Sequence, residues 1–362
     1  MRAVVFSEHG GPEVLRLETV ATPEPGPGEV RLKVGASSLN HLDLWVRRGL
    51  PIRIPMPHIG GSDMAGRVDS VGAGVDAGLV GARVVVDPTR DWEWSTGVRR
   101  GGAGGAGGAG GAGGSEGPSP IPDPEFRVIG EHTQGAFAEY AVAPVANLRH
   151  LPDEVSYQTA AAAGLVFVTA WRALFGRGGL GLGERVLVTG GSGGVSTAAV
   201  QLARHAGAEV FVLTSGEENC RRLEALGAHH ALDRLAGKPS DLLREATGRR
   251  GVDLVVDSVG EALWETLIRV LAPAGRLVTY GATTGPKATT DLRHVFWKQL
   301  SILGTTMGSP ADFTRAMELV CRGEVAPVIH SVVPLAELRG AQEALEAGGV
   351  FGKIVVVPGG DA

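Results

Sequence analysis

Hydrophobic and polar positions alternate in short runs through the first quarter of the chain. In the run EVRLKVGASSL, Val30, Leu32 and Val34 alternate with charged neighbours, which is typical of a strand with one buried and one solvated face. Glycine- and proline-rich segments such as PEPGPGE and PMPHIGG separate this run from the similar runs AVVF and ARVVVDP. Short strands divided by such turns predict a partly open β-barrel over residues 1–90.

The pattern changes in the second half of the chain. A strand-like GAFAEYAV at 135–142 is followed by an alanine-rich helical stretch over 156–175 with the capping residue Ser156 at its start. Strand-like and helix-like runs then alternate as RVLVTG, STAAVQLARHAG, EVFVLT, ENCRRLEALGA, LVVDSVG, ALWETLIRVLAP and GRLVTYG. Such alternation predicts an α/β domain with a parallel, doubly wound sheet. Helices near 310–322 and 335–346 and the strands LSILGTT and KIVVV add too little for a third domain.

Length and composition indicate a folded protein with an unstructured insertion. The chain has 362 residues, of which 43% are hydrophobic and 20% are charged, so it exceeds the usual size of one domain and can bury sizeable cores. Residues 101–114 read GGAGGAGGAGGAGG, and SEGPSPIPDPE follows. Because such a sequence buries almost nothing and has a large entropy of ordering, we predict a flexible surface insertion over residues 95–124.

Charge and hydropathy exclude some partners. The net charge of -5 and the isoelectric point of 6.1 provide no basic field for a polyanion, so we expect no nucleic acid as partner. The start, MRAVVFSEHGGPEV, has no apolar segment of signal-peptide length, and no stretch of about 18 uninterrupted apolar residues follows. We therefore expect a cytoplasmic protein without a membrane partner.

A glycine-rich turn lies between the strand-like run 185–189 and the helix-like run 197–205. The turn consists of Gly190, Gly191, Ser192, Gly193, Gly194, Val195 and Ser196. As a GxGxxS motif, its first glycine, Gly191, permits a tight turn, and Gly193 lets the backbone approach a pyrophosphate. Ser196 replaces the last glycine and is small enough for close packing. Backbone N–H groups and a dipole of about +0.5 charge at the helix start suit a phosphate, so the turn predicts dinucleotide binding.

The end of the following strand bears on which dinucleotide binds. That strand, VFVLT, ends in Thr-Ser-Gly at 214–216, where NAD-specific sites usually place an acidic residue for the ribose hydroxyls. Without a carboxylate there a 2'-phosphate is not repelled, and Ser215, Arg221 or Arg222 can bind it. Two glutamates at 217–218 argue against this choice, although they also suit the first turn of a helix. We predict NADP(H), with NAD(H) as the alternative.

An ordered series of motifs resembles the medium-chain dehydrogenase/reductase superfamily. The motifs are LNHLD, HIGGSDMAGRV, GAFAEY, TAW ahead of the glycine turn, and a closing FGKIVV. They cover nearly the whole chain except about 88–128. The resemblance implies a GroES-like catalytic domain at 1–152 that 309–362 completes, a Rossmann domain at 153–308, and an active site in the cleft. Most members of the superfamily form dimers or tetramers, so we expect a homodimer or homotetramer.

The residues that bind zinc in the superfamily's alcohol dehydrogenases are replaced here. Those enzymes hold a catalytic zinc through cysteine, histidine and cysteine, and the matching positions are Asn40, Ser62 and Leu165. Leucine cannot bind a metal, and an amide lacks the anionic sulfur that zinc favours. With two cysteines in the chain, the four-cysteine structural site is missing as well. The remaining nitrogen and carboxylate candidates are His41, His58, Asp63 and His132. None of these has metal-ligand spacing on one helix, so we expect no zinc.

The segment NHLD at 40–43 resembles the N-x-x-D pattern of the superfamily's zinc-free quinone oxidoreductases and enoyl reductases. Without a Lewis acid, hydride transfer is easier to an already electrophilic acceptor such as a quinone or conjugated enone, which predicts reduction of a small molecule by NADPH. The Asn40 amide is the candidate donor to the developing oxyanion, and His41 the candidate proton donor. Both can instead have a structural role. Asp43 is expected to organise the turn or to pair with Arg47.

The resemblance implies further contacts with the cofactor. The residues concerned are Thr169, Gly260, Gly281 and Lys353. Relatives often place a lysine for the 2'-phosphate just after the second strand, where this chain has Asn219, which weakens the NADP prediction. Two other hypotheses remain: an alcohol or aldehyde dehydrogenase of the same superfamily, and an NADP(H)-binding protein with little catalysis.

Overall fold

The computed structural model describes residues 1–92, 122 and 126–359. The insertion predicted at 95–124 therefore lies, except for residue 122, outside the described residues. The elements before residue 157 are β1 (Arg2–Val5), β2 (Arg16–Thr19), β3 (Glu29–Ser38), α1 (His41–Arg48), β4 (Asp63–Val71), β5 (Arg83–Val86), β6 (Thr89–Arg90), β7 (Arg127–Val128), β8 (Tyr140–Pro144) and β9 (Leu148–His150).

The rest of the chain alternates helices and strands. The elements are α2 (Tyr157–Trp171), β10 (Arg185–Val188), α3 (Gly194–His205), β11 (Glu209–Thr214), α4 (Glu217–Ala225), β12 (His230–Asp233), α5 (Pro239–Ala246), β13 (Val252–Asp257), α6 (Trp264–Val270), β14 (Leu271–Thr279), α7 (Leu292–Lys298), β15 (Ser301–Gly304), α8 (Pro310–Cys321), β16 (Ile329–Pro334), α9 (Leu338–Ala347) and β17 (Lys353–Val357). Within residues 126–359, six parallel strands lie in the order β12-β11-β10-β13-β14-β15. This is the strand order of a Rossmann sheet, so the predicted doubly wound fold is confirmed.

The two ends of the chain share a second sheet. In the described ranges 1–92 and 126–359, seven strands join in the order β16-β17-β3-β4-β5-β9, with β8 on β3. β17 pairs antiparallel with β3 through Val355 and Ser38, and the buried positions of β3 alternate as the sequence predicts. The GroES-like β domain is confirmed as a fold. The domain boundaries at residues 152 and 308 stay predictions.

Two elements begin elsewhere than the sequence predicts. The strand expected at 135–142 forms at Tyr140–Pro144, because residues 135–137 instead donate backbone hydrogen bonds to the loop 59–61. The helix after the glycine turn begins at Gly194 rather than at Thr197. Gly193 has extended dihedral angles and precedes the helix. The last three residues of the glycine-rich turn, 194–196, therefore belong to the first turn of α3.

Helix α2 lies in the core between the two sheets. The Ser156 hydroxyl caps it by accepting a hydrogen bond from the Thr159 N–H, as expected, and the helix contacts β3, β4 and α3. Among the described residues, the segment Tyr157–Arg177 alone is long and apolar enough, by length and composition, to cross a membrane. Because 72% of its most apolar window is buried inside the protein, we assign it as a core helix.

Candidate functional site

A cleft of about 620 Å³ lies beside the carboxyl ends of β10, β13 and β14. Strand order reverses between β10 and β13, which is where open α/β sheets bind their ligands. The side chains and backbone that line the cleft include Asn40, His41, Trp45, Leu165, Thr169, Gly190, Ser192, Gly193, Gly194, Val195, Ser258, Tyr280, Gly281 and Lys353. The cleft therefore brings the NHLD segment of α1 next to the glycine-rich turn.

The glycine turn has the geometry of a phosphate site, with one correction to the role of its glycines. The tight turn occurs at Gly190, whose φ is +61°, and not at Gly191. Gly191 is needed for close packing, since a Cβ there would lie 2.7 Å from Val212 Cγ1. Ser196 does more than fit, because its hydroxyl donates to the Thr189 carbonyl at 2.8 Å. The first N–H groups of α3 have no acceptor within the helix and are available to a phosphate.

A buried polar cluster lies at the cleft next to the glycine turn and consists of Ser38, Asn40, Asp63 and Lys353. The Asp63 Oδ2 atom accepts hydrogen bonds from Ser38 Oγ at 2.7 Å, Asn40 Nδ2 at 2.8 Å and Lys353 Nζ at 3.2 Å. Lys353 Nζ also donates to Asn40 Oδ1, and the Leu165 N–H donates to Asp63 Oδ1 at 2.6 Å. Asp63 is 0% exposed and Lys353 is 3% exposed, so this ion pair is isolated from water.

Burial shifts the pKa values of the groups around this cluster. Loss of hydration lowers the pKa of Lys353, although the nearby Asp63 and Asp43 carboxylates oppose the shift. Burial raises the pKa of Asp43 to about 7, despite hydrogen bonds from the Asn40 and Gly61 N–H groups. The pKa of His41 is lowered by loss of hydration and by the Lys353 charge, so its imidazole is mostly neutral at pH 7.

Most of the predicted site residues line the cleft. The predicted residues brought together there are Asn40, His41, Thr169, Gly190, Ser192, Gly193, Gly194, Val195, Gly281 and Lys353. Four predicted cofactor residues are not part of the lining, namely Gly191, Ser215, Arg221 and Gly260. Gly260 has a φ of +79° and lies close against the backbone of Ala282, so its role is in a turn.

Arg221, a predicted cofactor residue, lies on α4 after β11. It forms ion pairs with Glu217 and Glu218 on the surface of α4, so its charge is already compensated. Arg222, the other arginine considered, lies over the Phe351 ring, 3.7 Å from its centroid. Glu217 and Glu218 are thus exposed residues in the first turn of α4, as their sequence position indicates.

The structure identifies a different arginine at the end of β11. The Arg234 Nε atom donates to Ser215 Oγ at 2.6 Å, and the adjacent Asp233 carboxylate accepts from the Gly216 N–H at 2.8 Å. Sequence reasoning missed Arg234 because it follows β12, the neighbouring parallel strand, and not β11 itself. The signal that could have found it is the rule that parallel strands end at the same edge of a sheet.

The expected pair of Asp43 with Arg47 is wrong. Asp43 Oδ2 accepts from the Asn40 N–H at 2.7 Å and Oδ1 from the Gly61 N–H at 3.1 Å, so it organises the start of α1 as the alternative proposed. Arg47 Nε instead donates to Gln342 Oε1 at 2.8 Å, and its guanidinium pairs with Glu346. Both side chains are buried, and packing between α1 and α9 decides their partners.

The residues at the zinc positions of the alcohol dehydrogenases do not fit that metal. Leu165 contributes only its backbone N–H, which bonds to Asp63, and the Asn40 amide is held by Asp63 and Lys353. The Lys353 ammonium would repel a dication at this place. No group of three or more histidine, cysteine or acidic residues suited to a metal lies within the part of the chain that the structure describes.

The fold and the cleft define a pyridine-nucleotide-dependent oxidoreductase. The family model of the alcohol dehydrogenase GroES-like domain matches residues 26–153, and that of zinc-binding dehydrogenase matches residues 194–322. The chain is 31% identical over 366 residues to the quinone oxidoreductase of Lama guanicoe, covering 99% of the chain and 97% of that relative. It belongs to the medium-chain dehydrogenase/reductase superfamily, in the quinone oxidoreductase-like branch.

Solved structures show the same architecture. The structure of an NAD-dependent alcohol dehydrogenase is 37% identical with a TM-score of 0.88, covering 99% of this chain and 100% of that one. The crotonyl-CoA carboxylase/reductase AntE in complex with NADP is 28% identical with a TM-score of 0.85, covering 99% of this chain and 94% of that one. Relatives thus include both dehydrogenases and reductases, and the names of the solved structures mention both nicotinamide cofactors.

Proposed function

We propose that this protein is an NADPH-dependent reductase that transfers hydride, without zinc, to an electrophilic acceptor such as a quinone, a conjugated enone or an enoyl group. The observation that carries the proposal is the buried polar cluster. It presents an amide and a lysine where a metal-dependent relative needs soft anionic ligands. A quinone or enone needs no metal to accept hydride, because its conjugated carbonyl already makes it electrophilic.

The cofactor fits the residues of the cleft. The N–H groups at the start of α3 would hold the pyrophosphate, and Thr169 and Gly281 would flank the nicotinamide. Ser215 and Arg234 would bind the 2'-phosphate of NADP(H), since a hydroxyl and a guanidinium suit that group. When bound, the reduced nicotinamide supplies a hydride and two electrons.

The residues of the chain would complete the reduction by acting on the acceptor oxygen and on the proton. Negative charge develops on the acceptor oxygen, and the Asn40 Nδ2 atom would donate a hydrogen bond to it. One hydrogen on Nδ2 bonds to Asp63, which leaves the second for the substrate. The proton that balances the hydride would come from water or from the protonated form of His41 at the cleft, which its lowered pKa makes the minor form at pH 7.

One specific observation favours a second candidate function. The NAD-dependent alcohol dehydrogenase structure is 37% identical to this chain, so oxidation of a short alcohol with NAD is the competing proposal. His41, whose lowered pKa makes it mostly neutral at pH 7, could then act as the base. The third hypothesis, an NADP(H)-binding protein with little catalysis, predicts nucleotide binding without turnover.

A substrate panel distinguishes these functions. The purified protein is mixed with 1,4-naphthoquinone, a conjugated enone or an enoyl thioester, each with NADPH or NADH, and nicotinamide absorbance is followed. Short alcohols with NADP or NAD form the reverse arm. We expect oxidation of NADPH by at least one electrophilic acceptor. Turnover confined to alcohols would replace the proposal by the second candidate, and binding without any turnover would support the third.

A further inference from the structure

The Asn40 amide is held between two oppositely charged, buried side chains. Asp63 bonds to its nitrogen and Lys353 to its oxygen, and the two charged groups pair with each other. We infer that Asp63 and Lys353 are positioning residues that fix the orientation of the Asn40 amide, and that the Lys353 charge strengthens it as a hydrogen-bond donor to the substrate. This inference rests on the proposed reductase function and names the residues that orient and polarise its hydrogen-bond donor.

The orientation follows from the chemistry of the two partners. A lysine ammonium can only donate and a carboxylate can only accept, so the Asn40 oxygen must face Lys353 and its nitrogen must face Asp63. An asparagine between neutral partners could adopt either orientation. Here the wrong orientation would place a carbonyl against a buried carboxylate and an NH₂ group against an ammonium, and each contact would be repulsive.

The lysine also changes the strength of the amide as a donor. The Lys353 ammonium, bonded to the amide oxygen, withdraws electron density from the amide nitrogen and polarises its N–H bonds. This effect is larger in a site of low dielectric constant. The cluster is nearly free of water, since Asn40 is 6% and Lys353 is 3% exposed. The Lys353 charge therefore makes the N–H of Asn40 that remains for the cleft a stronger donor than it would be beside a neutral side chain.

The surrounding backbone leaves space for this arrangement. A Cβ on Gly164 would lie 2.5 Å from Asp63 Oδ1, and a Cβ on Gly194 would lie 2.7 Å from Lys353 Cδ. Glycine at both positions lets the carboxylate and the lysine stem approach α2 and α3. Ser38 Oγ and the Leu165 N–H also donate to Asp63, so the buried carboxylate is hydrogen-bonded on both oxygens without any contact to solvent.

Direct binding of the cofactor by Lys353 is the competing role, and it is the one that the family resemblance implies. The Nζ atom bonds to Asn40 and Asp63, whereas the lysine stem lies against Gly194 of the glycine turn. A phosphate ligand would have to draw the ammonium out of two charge-assisted hydrogen bonds. The geometry thus favours an action of Lys353 through Asn40.

The test is a double-mutant cycle on the full-length protein, with Lys353→Met, Asn40→Ala and the combination of the two. Methionine keeps the length of the stem and removes the charge. We expect Lys353→Met to lower kcat for the enone by about tenfold or more, because it removes a charge-assisted hydrogen bond, while the Kd for NADPH is unchanged. Adding Lys353→Met to Asn40→Ala should lower kcat no further. The exposed Lys33→Met is the matched control.

A spectroscopic measurement provides a readout independent of turnover. In the protein without ligand, the side-chain NH₂ protons of Asn40 are identified in a ¹H–¹⁵N spectrum by their loss in Asn40→Ala. Lys353→Met should shift these signals towards those of a solvated asparagine, and Lys33→Met should not. If Lys353→Met does not fold, the Asp63→Asn/Lys353→Met pair, which buries no unpaired charge, replaces it.

The failures can be told apart. Absence of turnover with the quinone, the enone and the enoyl thioester in the unmodified protein overturns the proposed function, and the inference falls with it. If the unmodified protein is active, a weaker Kd for NADPH with unchanged kcat in Lys353→Met makes the lysine a cofactor ligand and overturns the inference alone. Additive losses in the cycle, or unshifted Asn40 signals, overturn it as well.

Discussion

Asn40 has one role through its backbone and another through its side chain, and replacement by alanine removes only the second. Its backbone N–H bonds to Asp43 at the start of α1, and its side chain belongs to the buried polar cluster. Asn40→Ala should lower turnover by more than about tenfold, because the donor to the developing oxyanion is lost. NADPH affinity should stay the same, since the glycine turn is untouched. Steady-state rates and a fluorescence titration with NADPH measure the two effects, and unchanged turnover would reject the catalytic role.

Arg234 should determine the choice of cofactor. Arg234→Ala removes the guanidinium that bonds to Ser215, so we expect the Kd for NADPH to rise by about tenfold with little change for NADH. Arg221→Ala is the matched control, because that arginine is already paired with Glu217 and Glu218. Titration by protein fluorescence gives both constants. Tighter binding of NADH than of NADPH by the unmodified protein would show that the NADP prediction is wrong.

The buried Asp43 predicts a specific pH dependence of stability. Its pKa in the folded protein is about 7 against an ordinary value of 3.8, so the folded state keeps a proton that the unfolded chain gives up. This contribution is complete below pH 3.8 and is lost as the pH rises towards 7. The free energy of unfolding of the unmodified protein minus that of Asp43→Asn should therefore fall across this range, by at most about 1.4 kcal/mol per pH unit. Urea unfolding at several pH values measures the difference, and a flat difference would contradict the shift.

At the scale of elements, helix α2 supports the site through a glycine that a helix would normally disfavour. Gly164→Ala should destabilise the protein and lower kcat, because the new Cβ would lie 2.5 Å from Asp63 Oδ1. Gly340→Ala in α9 is the matched control, since its Cβ would meet no atom within 4 Å. That variant should be stabilised by roughly 0.5 to 1 kcal/mol, as expected for alanine in a helix. Thermal unfolding and kcat of both variants test this, and stabilisation by both substitutions would show that Asp63 has room to move.

At the scale of the whole molecule, the far edge of the parallel sheet exposes apolar side chains. Leu292 is 68%, Phe296 is 66% and Trp297 is 84% exposed on α7. Beside it, β15 ends the sheet among the described strands, and Ile302 on β15 is 40% exposed. An apolar surface next to an unpaired strand edge is a site for association. We propose that a second copy of the chain covers it through a two-fold contact, as the predicted homodimer or homotetramer requires.

Substitution at that edge tests the assembly. We expect the unmodified protein to have the mass of a dimer or tetramer in size-exclusion chromatography with light scattering. Trp297→Lys combined with Ile302→Lys should lower the assembly state, because buried lysines at an apolar contact are costly. Leu182→Lys, which changes another exposed apolar residue that is 87% exposed, is the control. A monomeric unmodified protein, or a double variant of unchanged mass, would remove this surface as the interface.

Much of the fold and part of the site could be predicted from local patterns. Alternation of strand-like and helix-like runs was enough for the α/β sheet, and the position of the Gly190–Ser196 turn between a strand and a helix was enough for its place at the cleft. Residue types at Asn40, Ser62 and Leu165 were enough to predict the loss of the zinc ligands. These features depend on residue identity and short spacing, which a single chain displays directly. The cytoplasmic location stays a prediction.

The tertiary structure alone decided which charged groups meet. Lys353 reaches Asn40 across 313 positions of the chain, because β17 pairs with β3. Arg234 reaches Ser215 because β12 and β11 are neighbours, whereas Arg221, which is closer in sequence, turns to two glutamates on its own helix. Such contacts depend on strand order and on competition among partners within the fold. The sequence by itself determined the residues available for chemistry, and long-range packing determined which of them act together.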